Sequence, residues 1–567
     1  MALLLMAGVL QGCKDHDFSF DDIDATIGLG ADEIALPGGN NTKEISLDDV
    51  VHLNNSNFVY IDDNGDYQIK VAGNSTESSS VNIAPFTIIP TTTTHTSVPL
   101  VVGSFSGSML LLSMSATTPA EVKALNNVTC DNNFTVPLTV PSTVRRIDAL
   151  TLSLPAFIQI DKGTIDGNTV AVNNSSVSLS NISSGTHTLI LHVAGIRFGE
   201  SSSLGSASFD ASNRRVTMSV NVGLQGTVSS SQVTSSGSLS SISGNVAGSL
   251  TITGATGRFN PTYSFNSFGS VKLNNIPDFL TDKSVNMDLY DPHISLNFNS
   301  ALPLNVKVSG NMVARDAHNN VLATVKVPAF SVPNGSSIIV LHKQTEAAPE
   351  GQTYVTVPDL GNLLKTIPDH IDFTNVTAEA DESQTAEVKL GHTYTMQEQY
   401  AFSAPLQLDA DAVIAYTDSI DDLNKTLKKL SFKEQTIGDG SSIDGHLLLE
   451  ADVLNRLPVF LTLTAWATDL QGDSIPQSEL SVKVDRTIWG TDNRDEGAVT
   501  HVNITITPQS NDVLHRVEGL QFRFRGTADG DNGNAPIVGK TINAKTQTLM
   551  VYNIKLTKKG KLVGNFN

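Results

Sequence analysis

Apolar and polar residues alternate with a period of two along most of this chain. Between Thr186 and Phe198, Leu189, Leu191 and Val193 fall on one face, and Ile190, His192 and Ala194 on the other. Successive side chains of a strand point to opposite sides, so the pattern predicts strands with one buried face. Similar runs occupy Leu100 to Met114, Phe134 to Leu154, Ile294 to Phe298, Leu447 to Val453, Val502 to Ile506, Leu520 to Phe524 and Leu549 to Leu556. Residues 201 to 256 are dominated by Ser, Gly and Val. Their apolar positions (Val216, Met218, Val220, Val222, Leu250, Ile252) predict long strands with small solvent-facing side chains, not a linker. The whole pattern predicts an all-β, mainly antiparallel chain of β-sandwich-like units joined by a few short helices.

Turn chemistry punctuates the alternation. Asp62-Asp-Asn-Gly-Asp66 separates two apolar runs and reads as a hairpin turn. It opens like a calcium loop, but Tyr67 and Gly73 stand where that loop needs Gly and Glu. Helices are predicted at three places. Thr118-Pro-Ala-Glu121 has a capping-box start, and Pro358 to Lys365 reads as a helical turn or two. Ser419 to Leu430 places Ile420, Leu423, Leu427 and Leu430 in one stripe, with Asp421 and Asp422 early and Lys428 and Lys429 late.

An internal echo spans the second half. Leu302-Pro303 and Leu457-Pro458 stand 155 residues apart. Each follows an alternating strand and precedes another, then a polar turn: Asp316 to Asn320 in one, Asp469 to Asp473 in the other. Proline cannot donate to a ladder, so each pair marks a strand start or an edge. We read two related β-units here. The first, with Asp291-Pro292 before its strands, resembles the small β-sandwich of water-stress and late-embryogenesis proteins. The expected divisions are 14–50 as an acidic tether, 51–260 as an N-terminal β-region, 261–400 and 401–500 as the two units, and 501–567 as a C-terminal β-region.

Composition narrows the function classes. The chain has 567 residues, a formal net charge of −21 and only 16% charged residues. An acidic chain without basic clusters is not a nucleic-acid binder. Of the two cysteines, Cys130 reads as a buried small hydrophobe. Only Trp466 and Trp489 represent tryptophan; the first is expected in a core and the second near a loop.

The N-terminus carries the one sharp signal. Ala2 to Leu10 is apolar, and too short for a bilayer span of roughly 20 residues. No Lys or Arg precedes Lys14, so a start upstream of Met1 is one reading. Leu10-Gln-Gly-Cys13 resembles the lipobox of bacterial lipoproteins, with Gln11 where that pattern prefers a small residue. The resemblance implies that Cys13 carries lipid and holds the protein to a membrane through more than one acyl chain. Lys14, Asp15 and Asp17, followed by Asp21 and Asp22, resemble the export signal of Bacteroidota surface lipoproteins, which implies an outer-membrane lipoprotein exposed on the cell surface.

Chemistry is otherwise sparse. The sequence holds no Gly-x-Ser-x-Gly elbow, His-Glu-x-x-His or P-loop. His192 reads as a packed or exposed histidine without ligands at metal spacing. The densest oxygen cluster is Asp529, Asp531, Asn532 and Asn534, composed like a Ca²⁺ loop and equally like a hairpin tip. No other cofactor is expected. The leading expectation is a non-enzymatic surface protein acting in adhesion, ligand capture or surface structure, with an extracellular protein or glycan as partner. A glycan-binding accessory lipoprotein of an outer-membrane uptake system is the first rival. A hydrolase with dispersed carboxylates is the second.

Overall fold

The computed structural model describes residues 33–36, 44–46 and 58–560, apart from 73–76, 94–95, 235–238, 245–246, 264–269, 274–275, 277–279, 281, 422, 428–431, 433, 438–439, 444, 493–494 and 531–534. Among the described residues almost every regular element is a strand, and all but one of the pairings between neighbouring strands are antiparallel. Three packed units result.

The barrel unit holds the long strands of the Ser/Gly-rich region. Its sheet runs in the order Asn168–Thr169, Ile158–Ile165, Gly185–Arg197, Val122–Val140, Leu250–Phe259, Phe86–Thr93, Gly103–Thr117, Arg215–Val228, Arg146–Ser153, Ser176–Ser183, Ala171–Asn173. The first and last members are separated in sequence by Val170 alone, so the two edges meet and the sheet nearly closes. Closure leaves few unpaired edges on a long, thin-walled sheet. The alternation predicted from sequence points inward: Phe134, Val136 and Leu138, Leu189, Leu191 and Val193, and Val216, Met218, Val220 and Val222 are all buried. Cys130 is buried and free, and its thiol donates to Val193 O at 3.2 Å. Burial pushes that thiol up to about 12, with Asp131 adding to the effect, so it behaves as a small core hydrophobe.

The middle sandwich packs two sheets. One contains Gln352–Thr356, Gly335–His342, His293–Ser300, Thr393–Pro405, Tyr67–Ala72 and Val59–Ile61, with Glu77–Asn82 also on Thr393–Pro405. The other contains Val321–Val332, Val306–Arg315 and His370–Ala380, with Thr262–Tyr263 and Ser270–Lys272 on the last. Phe298 meets Phe330 across the gap, and Tyr400 donates its hydroxyl to Ser270 O at 2.6 Å. The C-terminal sandwich has the same plan. One sheet holds Glu33–Leu36, Thr548–Gly560, Gly445–Asn455, Ala498–Pro508 and Leu480–Val484; the other holds Val413–Ile420, Val517–Thr527 and Phe460–Asp469.

The repeated Leu-Pro pair now has a structural meaning. In each sandwich the strand before it (His293–Ser300, Gly445–Asn455) lies in one sheet and the strand after it (Val306–Arg315, Phe460–Asp469) in the other. Leu302 and Leu457 are buried at the crossing. Asn455 latches the second crossing: its amide donates to Val459 O and Trp489 O, and its oxygen accepts from Leu457 N. The wiring matches further. The strand before Leu-Pro pairs with the last strand of its unit, Thr393–Pro405 or Thr548–Gly560. The other side of that last strand takes segments from the first 82 residues: Tyr67–Ala72 and Glu77–Asn82 in one unit, Glu33–Leu36 and Ile45–Ser46 in the other. The N-terminal arm thus completes the C-terminal sandwich, then the middle one, before the chain enters the barrel. The strands therefore group differently from the linear divisions expected from sequence. The described strands between Val413 and Gly560 build one sandwich, and those of 59–82 join the strands of 262–405, apart from Ala386–Lys389, which pairs with the barrel.

The polar turns share one geometry. Asp62, Asp316 and Asp469 each accept two backbone N–H groups on Oδ1: from Asn64 and Asp66, His318 and Asn320, and Gln471 and Asp473. Gly65, Asn319 and Gly472 supply the positive φ that closes each turn. The Asp62 loop is thus a hydrogen-bonded hairpin whose carboxylate is already committed. It also joins units, since Asn543 donates to Asp66 Oδ1 at 2.7 Å and Tyr67 N to Ile542 O at 2.9 Å.

Two predicted helices are corrected. Thr118 does not cap a helix; its N–H and hydroxyl both go to Arg214 O, and Val122 begins a nineteen-residue strand. Register shifts against Leu250–Phe259 bring Val122, Leu125 and Val128 to the buried face three residues apart, which imitates helical spacing. The Ser419 to Leu430 pattern is strand through Ile420, paired with Val517–Thr527, and among the described residues it is helix over Asn424–Leu427. Residues 428–430 lie outside the described residues. Pro358 to Lys365 contains the expected short turn, Leu360–Leu363. A helix not foreseen, Asn511–Arg516, is capped by Ser510, with Asp512 in its first turn and Arg516 in its last. Trp466 is also corrected. Ala465 and Ala467 face the core, so Trp466 lies on the opposite, half-buried face of its strand.

If the arm completes the middle sandwich, Ile69→Ala should destabilise that unit by ~2–4 kcal/mol, because Ile69 is fully buried. Hydrogen exchange checks this: amides of Thr393–Pro405 should lose protection, and unchanged protection there would contradict the assignment.

Candidate functional site

The sequence-predicted site residues divide by position. Cys13, Lys14, Asp15 and Asp17 lie outside the described residues, as do Asp531, Asn532 and Asn534. Asp529 is described and lines a polar cavity of about 370 Å³ at one end of the C-terminal sandwich. Asp411, Arg525, Thr462, Thr487 and Thr527 line it too, so a guanidinium shares the space with the carboxylates. Phe522 and Phe524 are buried, with Arg523 and Arg525 on the other face as the alternation requires. Arg523 is tied to Asp282 Oδ1 at 3.0 Å and to Ser284. The exposed large aromatics among the described residues are Tyr60 and Trp489, which lie in different units.

His192 stands on Gly185–Arg197 between two other strands of the barrel. Its Nδ1 pairs with Asp161 and its Nε2 with Asp131 Oδ1 at 2.6 Å. Both ring nitrogens are used, one toward each neighbouring strand. The hydrogen bonds to Asp131 and Asp161 hold the imidazole above its ordinary pKa, against a small opposing effect of burial. The bond to His192 also lowers the Asp161 carboxyl. Neither carboxylate is close in sequence, which is why spacing alone gave no sign of the triad.

A second ionic cluster sits where the middle and C-terminal sandwiches meet. Lys343 Nζ donates to Asp288 Oδ1 at 3.2 Å, Leu289 O at 3.2 Å and Asp409 Oδ2 at 2.6 Å. Lys365 bridges Asp288 and Asp411, at 3.2 Å each. Backbone bridges Asn286 to Val413 and Leu289 to Leu408 flank the cluster. Asp288 is almost wholly buried, so these two ammonium groups supply the charge its carboxylate loses from water.

The third cluster is chemically the most distinctive. His293 opens the strand His293–Ser300, and His342 closes Gly335–His342; the two are direct cross-strand partners. Such partners project on the same face. Asp291 stands two residues before the strand, and Asp291, His293 and His342 offer ligand atoms all within 4.8 Å of one another. Asp291 Oδ2 pairs with His293 Nε2 at 2.8 Å. Glu346, in the segment after His342, places Oε1 3.9 Å from His293 Nε2 and 3.9 Å from His342 Nδ1. Tyr354, on the parallel neighbour Gln352–Thr356, packs its ring 4.5 Å from that of His342. The hydrogen bond to Asp291 raises the His293 pKa, whereas burial lowers that of His342. Sequence reasoning missed this cluster. Its local sign was the Asp291-Pro-His293 entry to a strand; the partner histidine lies 49 residues on and is found only through the ladder.

No protein-family model matches the chain, and no curated protein does. Among solved structures, the chain is similar to a candidate secreted protein from Parabacteroides distasonis ATCC 8503, at 16% identity and a TM-score of 0.36, over 54% of this chain and 90% of that one. Infectious bursal disease virus, Gt strain, matches at 9% identity and a TM-score of 0.11, over 90% of this chain and 85% of that chain.

Two tests follow from these clusters. The His192 pKa is raised on folding, so its contribution is complete below about pH 6.5 and is lost as pH rises through the folded value. Stability of the barrel unit should therefore fall as pH rises above about 6.5. His192→Gln should flatten the slope only partly, since His187 is also raised: its bonds to Asp166 and Ser183 O outweigh burial, which acts the other way. A denaturant series across pH reads both effects. Lys343→Ala should cost ~1.5–3 kcal/mol by stripping Asp288 and Asp409 of a charged donor. A thermal melt unchanged by that substitution would contradict the joint.

Proposed function

We propose that this chain is a non-enzymatic lipoprotein of the outer membrane, displayed on the bacterial cell surface and serving adhesion, ligand capture or surface structure. The observation that carries the reading is the placement of the arm. Glu33–Leu36 and Ile45–Ser46 lie on Thr548–Gly560, so the chain leaves the C-terminal sandwich toward Cys13. Cys13 precedes Glu33 by 20 residues, a stretch that reaches at most about 70 Å. A lipid on Cys13 would therefore hold the start of the C-terminal sandwich within about 70 Å of the membrane. The middle sandwich takes the next segments, Tyr67–Ala72 and Glu77–Asn82, before the chain enters the barrel, which carries the loops around Arg214 and Asp166. Recognition belongs on such loops, carried by a rigid scaffold.

Among the described residues, the large exposed aromatics are few and lie in different units, which favours a protein or mixed-polarity partner over a flat sugar platform. The acidic surface disfavours nucleic acid as a partner.

Radiolabelled palmitate should enter the protein, and Cys13→Ala should abolish the label. Trypsin added to intact cells should cut the barrel at the exposed Arg214–Arg215 loop. Label that persists in the variant would sink the anchor, and full protection from trypsin would place the barrel inside the cell envelope.

A further inference from the structure

We propose that Asp291, His293, His342 and Glu346 form a binding site for one divalent transition-metal ion of the zinc class. Three observations point to it. The first is convergence: two imidazoles and a carboxylate present ligand atoms within 4.8 Å of one another, and Glu346 Oε1 stands equally far, 3.9 Å, from both ring nitrogens. The second is an unpartnered buried group. His342 is 1% exposed, and its Nδ1 makes no hydrogen bond among the described residues, although it faces the cluster. Asp291 Oδ1 is likewise buried and without a hydrogen bond. A buried polar atom left unsatisfied costs stability, and here two such atoms belong to one cluster. The third is rigidity. His293 and His342 are fixed by the ladder at adjacent strand ends, and Tyr354 packs against the His342 ring.

The His192 triad shows why this arrangement differs from an ordinary ionic cluster. There the two nitrogens of one ring point to two separate carboxylates, so they cannot meet at one ion. Here nitrogens of two different rings face a common point. Zinc takes nitrogen ligands at about 2.0–2.1 Å, which in a tetrahedron puts ligand atoms about 3.3 Å apart. The 2.8 Å Asp291–His293 contact must open by about half an ångström, and the 3.9 Å Glu346 contacts must close by about as much. Glu346 is half exposed on its loop, so packing does not fix its carboxylate at that distance.

The nitrogen content sets the class of ion. Calcium and magnesium prefer all-oxygen shells, whereas imidazole with carboxylate suits zinc and its first-row neighbours. The site also adjoins Lys343, the next residue after His342, which ties this unit to the C-terminal sandwich. An ion held here would pin the 343–351 segment beside that joint and stiffen the connection between the two sandwiches.

The test uses the tag-free full chain, stripped with chelator and titrated with ZnCl₂ or CoCl₂. Wild-type protein should bind one ion per chain. Bound Co²⁺ should give the intense visible bands of a tetrahedral nitrogen–oxygen shell, and zinc should raise the thermal midpoint by at least about 2 °C. His342→Gln and His293→Gln should each weaken binding at least about 100-fold, and Glu346→Gln about tenfold or more. CaCl₂ should do nothing. His342 is buried, so His293→Gln and Glu346→Gln, which are more exposed, keep the test valid if His342→Gln fails to fold. The proposal is overturned if wild type takes up no ion, if the folded variants bind as tightly as wild type, or if calcium competes equally.

Discussion

The structure depends on backbone hydrogen bonds between the first 82 residues and strands that lie hundreds of residues later. Thr393–Pro405 and Thr548–Gly560 would each be an open sheet edge without the arm. An exposed edge is a template for pairing with other chains, and these two strands are long. The arm covers both in turn, so neither sandwich is complete until the C-terminal end of its own unit has been made. That wiring gives the chain a high contact order and ties all three units together. The buried apolar residues accordingly form one continuous cluster, from Phe58 to Ile554.

The level at which the sequence was legible follows from this. Alternation reports which face of a strand is buried, and it reported that correctly for Leu189 to Val193, Val216 to Val222 and Phe522 with Phe524. It carries no information about which strand pairs with which. The nested arm, the grouping of the described strands between Val413 and Gly560 and the closure of the barrel at Val170 were therefore not readable. Local motifs failed where tertiary pairing competed with them. Bulges opposite Leu250–Phe259 gave Val122, Leu125 and Val128 a helical spacing inside a strand. The Ser419 pattern yielded to the ladder with Val517–Thr527 as far as Ile420. The Leu-Pro echo was readable because proline constrains the backbone by itself, and both copies mark a crossing between sheets.

The same limit explains the polar clusters. The Asp62 loop resembled a calcium loop because an aspartate that accepts two backbone N–H groups and one that coordinates an ion look alike in sequence. Geometry separates them, since Asp62 Oδ1 already holds Asn64 N and Asp66 N. His192 and the pair His293 and His342 were also equivalent as lone histidines on strands. Only the neighbouring strands distinguish a ring that bridges two carboxylates from two rings that face one point. The three β-units share one buried cluster, and charged groups brace the junction of the middle and C-terminal sandwiches.

The most direct test of the nested wiring is a cross-link between the arm and a last strand. Ser80 and Thr395 are cross-strand partners, both exposed, and separated by 315 residues of sequence. Cross-strand Cβ atoms lie about 4.5–5.5 Å apart, close enough for a disulfide to form with a small adjustment. The double variant Ser80→Cys, Thr395→Cys should yield a disulfide-linked peptide pair by mass spectrometry after mild oxidation of the folded protein. Two free thiols under those conditions, in protein that melts like wild type, would contradict the pairing on which the architecture rests.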